Sequence, residues 1–539
     1  MDKVATPLPL YNLPRQRIEA PESQAAWPHR TLPQLLADRV RTLAGAVAIN
    51  DGARAVTFAE FGRLVDRVAA GLARRDVRPG DVVAYQLPTS LDSVVLQYAI
   101  ARVGAVASPI SLLHREHDLT YMLGLVQPRL IVSRPVYRGV PYGAMLAGVA
   151  REARLEGASV AVEGGRLVDT LGDPASPPAV PDDPNRPLYI VWTSGTTGEP
   201  KGVVHTHNTG LCGVSLKLER LRVGAGDAML IITPVAHHIG IYAMNMLALA
   251  GIRLVLIEAW QPELACRLIQ DCRPTFTSGP PTFLIDLLRC DALAQHDLGS
   301  LAIFSLGGAP VPPPLIDMAA EKLPGCHILA SYGTSEEGYV TSASPDDPPG
   351  LSAESDGRPL QHMEVRILGP DRRELGAGEE GDLVVRTPSV FAAYAYRPDV
   401  TREAFLPGGW RWTGDRAIVR GTGAVRITGR SKDIIIRGGV NIPVVQVEGA
   451  LLKHPSVGSV AIVAMPDDRL GEKACAYVVP RGEVTLQAIR EFLQAQQIAP
   501  TYWPERLELI DELPMTASGK VQKFRLRAMI AETLNAEKG

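Results

Sequence analysis

Residues 188–207 read LYIVWTSGTTGEPKGVVHTH. An apolar run with strand character leads directly into Thr193, Ser194, Gly195, Thr196, Thr197 and Gly198, and Lys201 follows close behind. Glycines let backbone amides approach an anion, the hydroxyls add donors and the lysine supplies charge, so the segment has the chemistry of a phosphate cradle at the end of a strand. It is not a Walker loop, because Pro200 stands where GxxxxGK[ST] needs its second glycine. Nor is it a nucleophile elbow, since no GxSxG frames Ser194.

The flanking sequence places this loop in an α/β fold. Thr57 and Glu60 have capping-box spacing, and Phe61, Leu64, Val65, Val68 and Leu72 then recur at helical intervals. A Pro79-Gly80 turn precedes an apolar run at 82–85, and Val94, Val95, Tyr98, Ala99 and Val103 mark a second helix. Short strands are expected at 106–110 and 130–133, and the alternation predicts a largely parallel sheet. Residues 168–187, rich in Pro and Asp, read as an exposed connection, and the Gly/Pro-punctuated runs at 381–413 read as a β-rich subdomain. Further on, Pro443 opens a helix bearing Val444, Val447 and Leu451, strands follow at 460–464 and 474–479, and Thr485 caps a helix with Leu486, Ile489 and Leu493 on one face. The expected architecture is a large multi-layer α/β domain with a β-rich subdomain, followed by a small, mobile α+β domain.

Composition narrows the function. At 539 residues the chain is too long for one domain, and a net charge of -3 leaves no basic footprint for nucleic acid or anionic membrane. The 6 cysteines have no metal-ligand or framework spacing, which suits a reducing cytoplasm. The apolar stretch 240–257 is interrupted by Asn245, Gly251 and Arg253, and reads as a buried helix, a turn and a buried strand rather than a membrane span. The N-terminal residues lack a signal-type apolar region, and the C-terminal AEKG is no targeting or lipidation signal.

Four more motifs follow in order. They are SYGTSE at 331–336, RWTGD at 411–415, GRSKD at 429–433 with Gly439 and Glu448 beyond, and PMTASGK at 514–520. Alone, Asp415 would pass for a turn residue, Glu336 for a loop acid and Lys520 for surface charge. Together with the phosphate loop they resemble, over nearly the whole chain, the adenylate-forming superfamily of acyl-CoA and aryl-CoA ligases, peptide-synthetase adenylation domains and luciferases. One departure is Ser335, where the family usually has Thr.

The resemblance implies an AMP-forming acid–thiol ligase that uses ATP, Mg²⁺ and coenzyme A. Its first half-reaction joins a carboxylic acid to AMP with release of pyrophosphate, and its second forms a thioester. Lys520 is implied as the catalytic cation where carboxylate meets α-phosphate. Thr334 or Ser335 would bond the α-phosphate, and Glu336 would hold Mg²⁺. Asp415 and Arg430 would grip the ribose, while Gly308, Ala309 and Pro310 would form the adenine-side loop, Tyr332 would lie along the base and Gly333 would belong to the same nucleotide site. The domains divide at 431/432, with Lys432 as hinge and Gly438 and Gly439 beside the thiol channel. In the PxxHxxG segment 234–240, His237 walls the acid site, joined by His238, Ile239 and Tyr242; Met244 and the SGPPTF run at 278–283 add apolar surface. His205 and His207 read as structural. No Asp stands where amino-acid-activating domains pair an ammonium, and the ensemble looks most like medium-chain, alicyclic or aryl acid–CoA ligases such as cyclohexanecarboxylate–CoA ligase. The alternatives are a free-standing ligase that loads a separate carrier protein and, from another class, an inactive nucleotide-binding homologue. Lys520 also resembles the site that lysine acetyltransferases modify, and deacetylases restore, in related bacterial ligases.

Overall fold

The computed structural model describes residues 20–538, apart from 156–158, 162–165, 194–199, 310, 349, 431–434, 438–439, 468 and 517–518. The first expected helix is Phe58–Arg74. Thr57 Oγ1 accepts from the Glu60 amide while the Glu60 carboxylate accepts from the Thr57 amide; such a cap contributes about 1 kcal/mol. The helix buries Phe61, Val65, Val68 and Leu72, and Phe61 meets Tyr98 edge-on at 5.1 Å. Tyr98 belongs to helix Leu91–Arg102, which is buried almost all round, as its weak segregation of polar residues requires.

Two large mixed sheets flank this core. One has seven strands in the order Ala393–Tyr394, Lys201–Thr206, Pro187–Thr193, Val106–Pro109, Val82–Gln86, Leu130–Ser133 and Ser159–Ala161. It is antiparallel at the first two pairings and parallel beyond. The other has nine, in the order Arg358–Pro359, Gly338–Ser342, His327–Thr334, Ile303–Leu306, Phe276–Gly279, Ala228–Ile231, Arg253–Leu256, Val47–Asn50 and Ala55–Thr57. Its centre is parallel, and the strands there are buried along their length, because parallel strands are covered on both faces.

The apolar stretch resolves into helix His238–Ala250, a left-handed Gly251 (φ 70°) and strand Arg253–Leu256. Among the described residues no helix is long and apolar enough to cross a membrane. Two expectations need correction. The connection after the second α/β unit is shorter than 168–187: Leu167–Leu171 is a helix with Leu167 and Leu171 buried, and buried Asp173 pairs with Arg74 at 2.6 Å. The β-rich subdomain also reaches past 381–413 on both sides, as a four-stranded antiparallel sheet of Glu364–Leu368, Glu380–Arg386, Arg411–Val419 and Val425–Arg430. Its outer strands mix polar and half-buried positions, which blurs the period that would reveal them.

The C-terminal unit is α+β. Strands Val457–Asp467 and Gly471–Pro480 form a long hairpin, Arg506–Leu509 adds in parallel, and helices Val444–Leu451, Leu486–Ala495 and Lys523–Lys538 pack around them. Thr485 caps its helix by accepting from the Ala488 amide. This unit meets the large one where Arg289 donates to the Gly458 carbonyl (2.8 Å) and Thr282 Oγ1 to the Gly519 carbonyl (3.3 Å).

Candidate active site

Ala228–Ile231, Phe276–Gly279, Ile303–Leu306 and His327–Thr334 lie side by side and parallel, so their C-terminal ends open on one crevice, where open α/β sheets bind ligands. The loops there carry most of the expected residues. A cavity of about 50 Å³ brings together His237, His238, Ile239, Tyr242, Gly308, Gly333, Thr334, Ser335 and Lys520, with Tyr339 as an unforeseen wall. Met244 does not reach it: it is fully buried in the core, where its carbonyl accepts from Tyr98 Oη. The 278–283 run turns away as well. Pro280, Thr282 and Phe283 abut Gly519 and so cradle the lysine loop rather than line the cavity.

Lys520 is half-buried and lies against Gly308. A Cβ at Gly308 (φ 83°) would stand 3.0 Å from Lys520 Cε. Burial, and then the Arg430 charge, push its pKa down to about 8, against the opposing pull of Asp415 and Glu336. His237 begins helix His238–Ala250 as its N-cap, with Nδ1 accepting from the Ile239 amide at 3.3 Å. Burial and the neighbouring Lys520 hold its pKa near 3, so the ring is neutral and its proton sits on Nε2.

Asp415 is buried between two donors: Tyr332 Oη bonds Oδ2 at 2.6 Å and Arg430 Nε bonds Oδ1 at 3.0 Å. Asp415 and Arg430 face each other across adjacent strands. Each carboxylate oxygen retains a further lone pair for a ligand hydroxyl. Ala309 lies in the turn after Gly308. Thr193 and Lys201 are cross-strand partners that hold the two ends of the phosphate loop. Ser194, Gly195, Thr196, Thr197, Gly198, Pro310, Lys432, Gly438 and Gly439 lie outside the described residues.

Contacts of Tyr394 and Glu337 were not foreseen. Tyr394 Oη donates to Glu336 Oε1 at 2.7 Å while Lys201 Nζ stands 5.1 Å from the Tyr394 ring centre, tying the phosphate loop to the SYGTSE turn. Burial raises the Glu336 pKa, but the Arg411 charge and then the bond from Tyr394 outweigh it and keep the carboxylate ionised. Behind it, wholly buried Glu337 pairs with Arg411, whose Nη2 lies 2.6 Å from Oε2, and Thr334 Oγ1 donates to the same carboxylate. His205 Nε2 donates to the Ser335 carbonyl at 2.8 Å, and His207 Nδ1 accepts from the Leu32 amide. Both histidines are therefore structural. Glu337 was hidden by its position beside the motif glutamate, and Tyr394 by lying in no motif.

Residues 36–395 match the AMP-binding enzyme family, and residues 446–520 match the AMP-binding enzyme C-terminal domain. The chain is 30% identical to the medium-chain fatty-acid–CoA ligase of Escherichia coli K12, over 97% of its own length and 94% of the relative's. It is 28% identical to the 2,3-dihydroxybenzoate-AMP ligase of Bacillus subtilis 168, over 97% and 98%. The crystal structure of ATP-bound MatB from Rhodopseudomonas palustris matches with a TM-score of 0.83 at 27% identity, covering 93% of this chain and 99% of that one. With its crevice at the sheet's C-terminal edge and a lysine delivered from the small unit, the chain belongs to the AMP-binding enzyme family, as an AMP-forming acid–CoA ligase.

Proposed function

We propose that the protein activates a carboxylic acid of the medium-chain or aryl class with ATP and transfers the acyl group from the adenylate to coenzyme A. The observation that carries this is the seating of Lys520 against Gly308, in one cavity with His237 and Thr334. In the first half-reaction a carboxylate oxygen attacks the α-phosphorus and pyrophosphate leaves. Two anions must meet, and Lys520 supplies the cation that offsets their repulsion. His237 and Ile239 wall the acid, and the Ser335 hydroxyl donates to the α-phosphate, because Thr334 gives its one proton to Glu337. Asp415 takes the ribose hydroxyls and is steadied by Tyr332 and Arg430. Glu336, ionised and half-buried, fits Mg²⁺, which asks for one or two carboxylates besides phosphate oxygens. When bound, that ion neutralises charge on the phosphates.

In the second half-reaction the thiol attacks the acyl carbon and AMP leaves. The small unit, beginning at 432, turns about Lys432 for this step and presents Gly438 and Gly439 to the thiol. Acetylation of Lys520 by a lysine acetyltransferase would remove its charge and block the first half-reaction alone.

With a suitable acid, ATP and Mg²⁺ the protein should release pyrophosphate, and AMP on addition of coenzyme A. Release of ADP would overturn the reading. Adenylate that persists in the presence of coenzyme A would favour the carrier-protein acceptor. Asp415→Ala should raise the ATP requirement by a factor equivalent to about 2–4 kcal/mol, through loss of charge-assisted bonds. Unchanged ATP kinetics would remove Asp415 from the site.

A further inference from the structure

Residues 389–395 belong to no motif, yet they stitch together two that carry the chemistry. Ser389 Oγ donates to the Glu337 carbonyl and the Phe391 amide to the Glu336 carbonyl, each at 2.6 Å. On the other side the Ala392 amide donates to the Val204 carbonyl (2.8 Å) and the Ala395 amide to the Gly202 carbonyl (2.7 Å). One short stretch thus spans from the SYGTSE turn to the strand Lys201–Thr206 that leaves the phosphate loop.

Tyr394 sits where the two meet. It pairs with Val203 across the antiparallel ladder, which makes Lys201 its diagonal neighbour on the same face. An aromatic and a long side chain bridge that separation. Lys201 Nζ accordingly lies 5.1 Å from the ring centre, within cation–π range. The hydroxyl of the same ring donates to Glu336 Oε1 at 2.7 Å. The phenol is itself held in place. It is 5% exposed, its ring packs 4.6 Å from that of Phe391, and the Tyr394 amide donates to Thr401 Oγ1 at 2.9 Å.

Neither contact cancels a charge. Among the described residues Lys201 makes no ion pair, and the bond to Glu336 Oε1 comes from a neutral hydroxyl. Without the phenol, two opposite charges one ring apart would draw together and neutralise each other. We infer that Tyr394 is a positioning residue for adenylation: its ring face holds Lys201 for the nucleotide phosphates, its hydroxyl holds Glu336 for the accompanying Mg²⁺, and the two are kept from pairing. This rests on the acid-ligase reading.

The test is the calorimetric affinity for α,β-methylene-ATP, whose bridging carbon blocks loss of pyrophosphate, in EDTA and again at saturating Mg²⁺. The ratio of the two affinities reports the coupling between metal and nucleotide. Tyr394→Phe keeps the ring and deletes the hydroxyl. Its metal-free affinity should stay close to native while the gain on adding Mg²⁺ shrinks by about 10-fold, the loss expected of a hydrogen bond to a charged group. Tyr394→Leu removes the ring face as well, and should also weaken metal-free binding by about 3–10-fold. In a Glu336→Gln background Tyr394→Phe should leave the gain unaltered, because the carboxylate it positions is gone. A merely structural tyrosine would lower both affinities together, or lower thermal stability with the gain intact, and either result in Tyr394→Phe would overturn the inference. An effect of Tyr394→Phe that persists beside Glu336→Gln would overturn it too. Absence of ATP–pyrophosphate exchange with every acid, alongside a gain that Tyr394→Phe still weakens, would overturn the ligase reading and leave the placement of the two charges standing. Absence of nucleotide binding would overturn both.

Discussion

Lys520→Ala should lower adenylate formation by about 10²–10³-fold, the cost of removing one preorganised charge from a developing anionic centre. The same variant should turn a supplied acyl-adenylate and coenzyme A into thioester and AMP at close to the native rate. The asymmetry follows from charge: carboxylate and phosphate repel in the first step, whereas the second brings a thiol to an acyl carbon. The lysine's pKa near 8 adds a signature. The cation is present below that pH and lost above it, so kcat/KM for adenylation should fall as pH rises through about 8. Bound phosphates favour the cation, so the corresponding limb in kcat should lie higher. In Lys520→Ala the alkaline limb should vanish. Native adenylation by the variant, or an unchanged alkaline limb, would remove Lys520 from the chemistry.

The second large effect is expected at Glu337, which no motif singles out. Its carboxylate is wholly buried and bonds Arg411 and Thr334, so it joins the strand that carries Asp415 to the turn that carries Glu336. Glu337→Gln keeps the shape but takes from the buried Arg411 guanidinium the one carboxylate in contact with it among the described residues, leaving only the more distant charge of Glu336. A cost of about 3–5 kcal/mol is expected, read as a fall in the denaturation midpoint. Pairing Glu337→Leu with Arg411→Met should recover most of that stability, because the uncompensated charge is gone, yet adenylation should stay impaired because the turn carrying Ser335 and Glu336 has lost its tie to the strand carrying Asp415. A loss below about 1 kcal/mol in Glu337→Gln would show that the pair is not a structural tie.

What was legible in the sequence was what local rules encode. The Thr57–Glu60 cap, helix His238–Ala250 with its Gly251 terminus, and the strand at Leu130–Ser133 all follow from residues within a few positions of one another. The site residues were legible as motifs but not as an arrangement. Nothing local says that the Tyr332 hydroxyl is spent on Asp415, or that Tyr394 reaches Glu336 across 58 positions of chain. Met244 was expected at the cavity because it is apolar and near His237; it is buried in the core instead, and the cavity lining does not include it. Lys217 resembles any lysine of a helix in the sequence, and only the packing of Gly338–Ser342 on that helix shows it to be enclosed.

Gly338, which lines the cavity, and Gly213, which backs the Tyr242 hydroxyl, give the cavity an unequal mutational neighbourhood. From glycine every substitution adds volume, and a side chain at either position meets the Tyr242 hydroxyl, at 3.3 Å from Gly213 and 1.8 Å from Gly338. One base change can therefore only push Tyr242 toward the cavity, and none at these positions can widen it. Broadening must come from trimming Tyr242 or Tyr339, which also wall the cavity beside Thr334. Drift at the two glycines runs toward specialists, and a library built for bulkier acids should leave both untouched and vary the tyrosines.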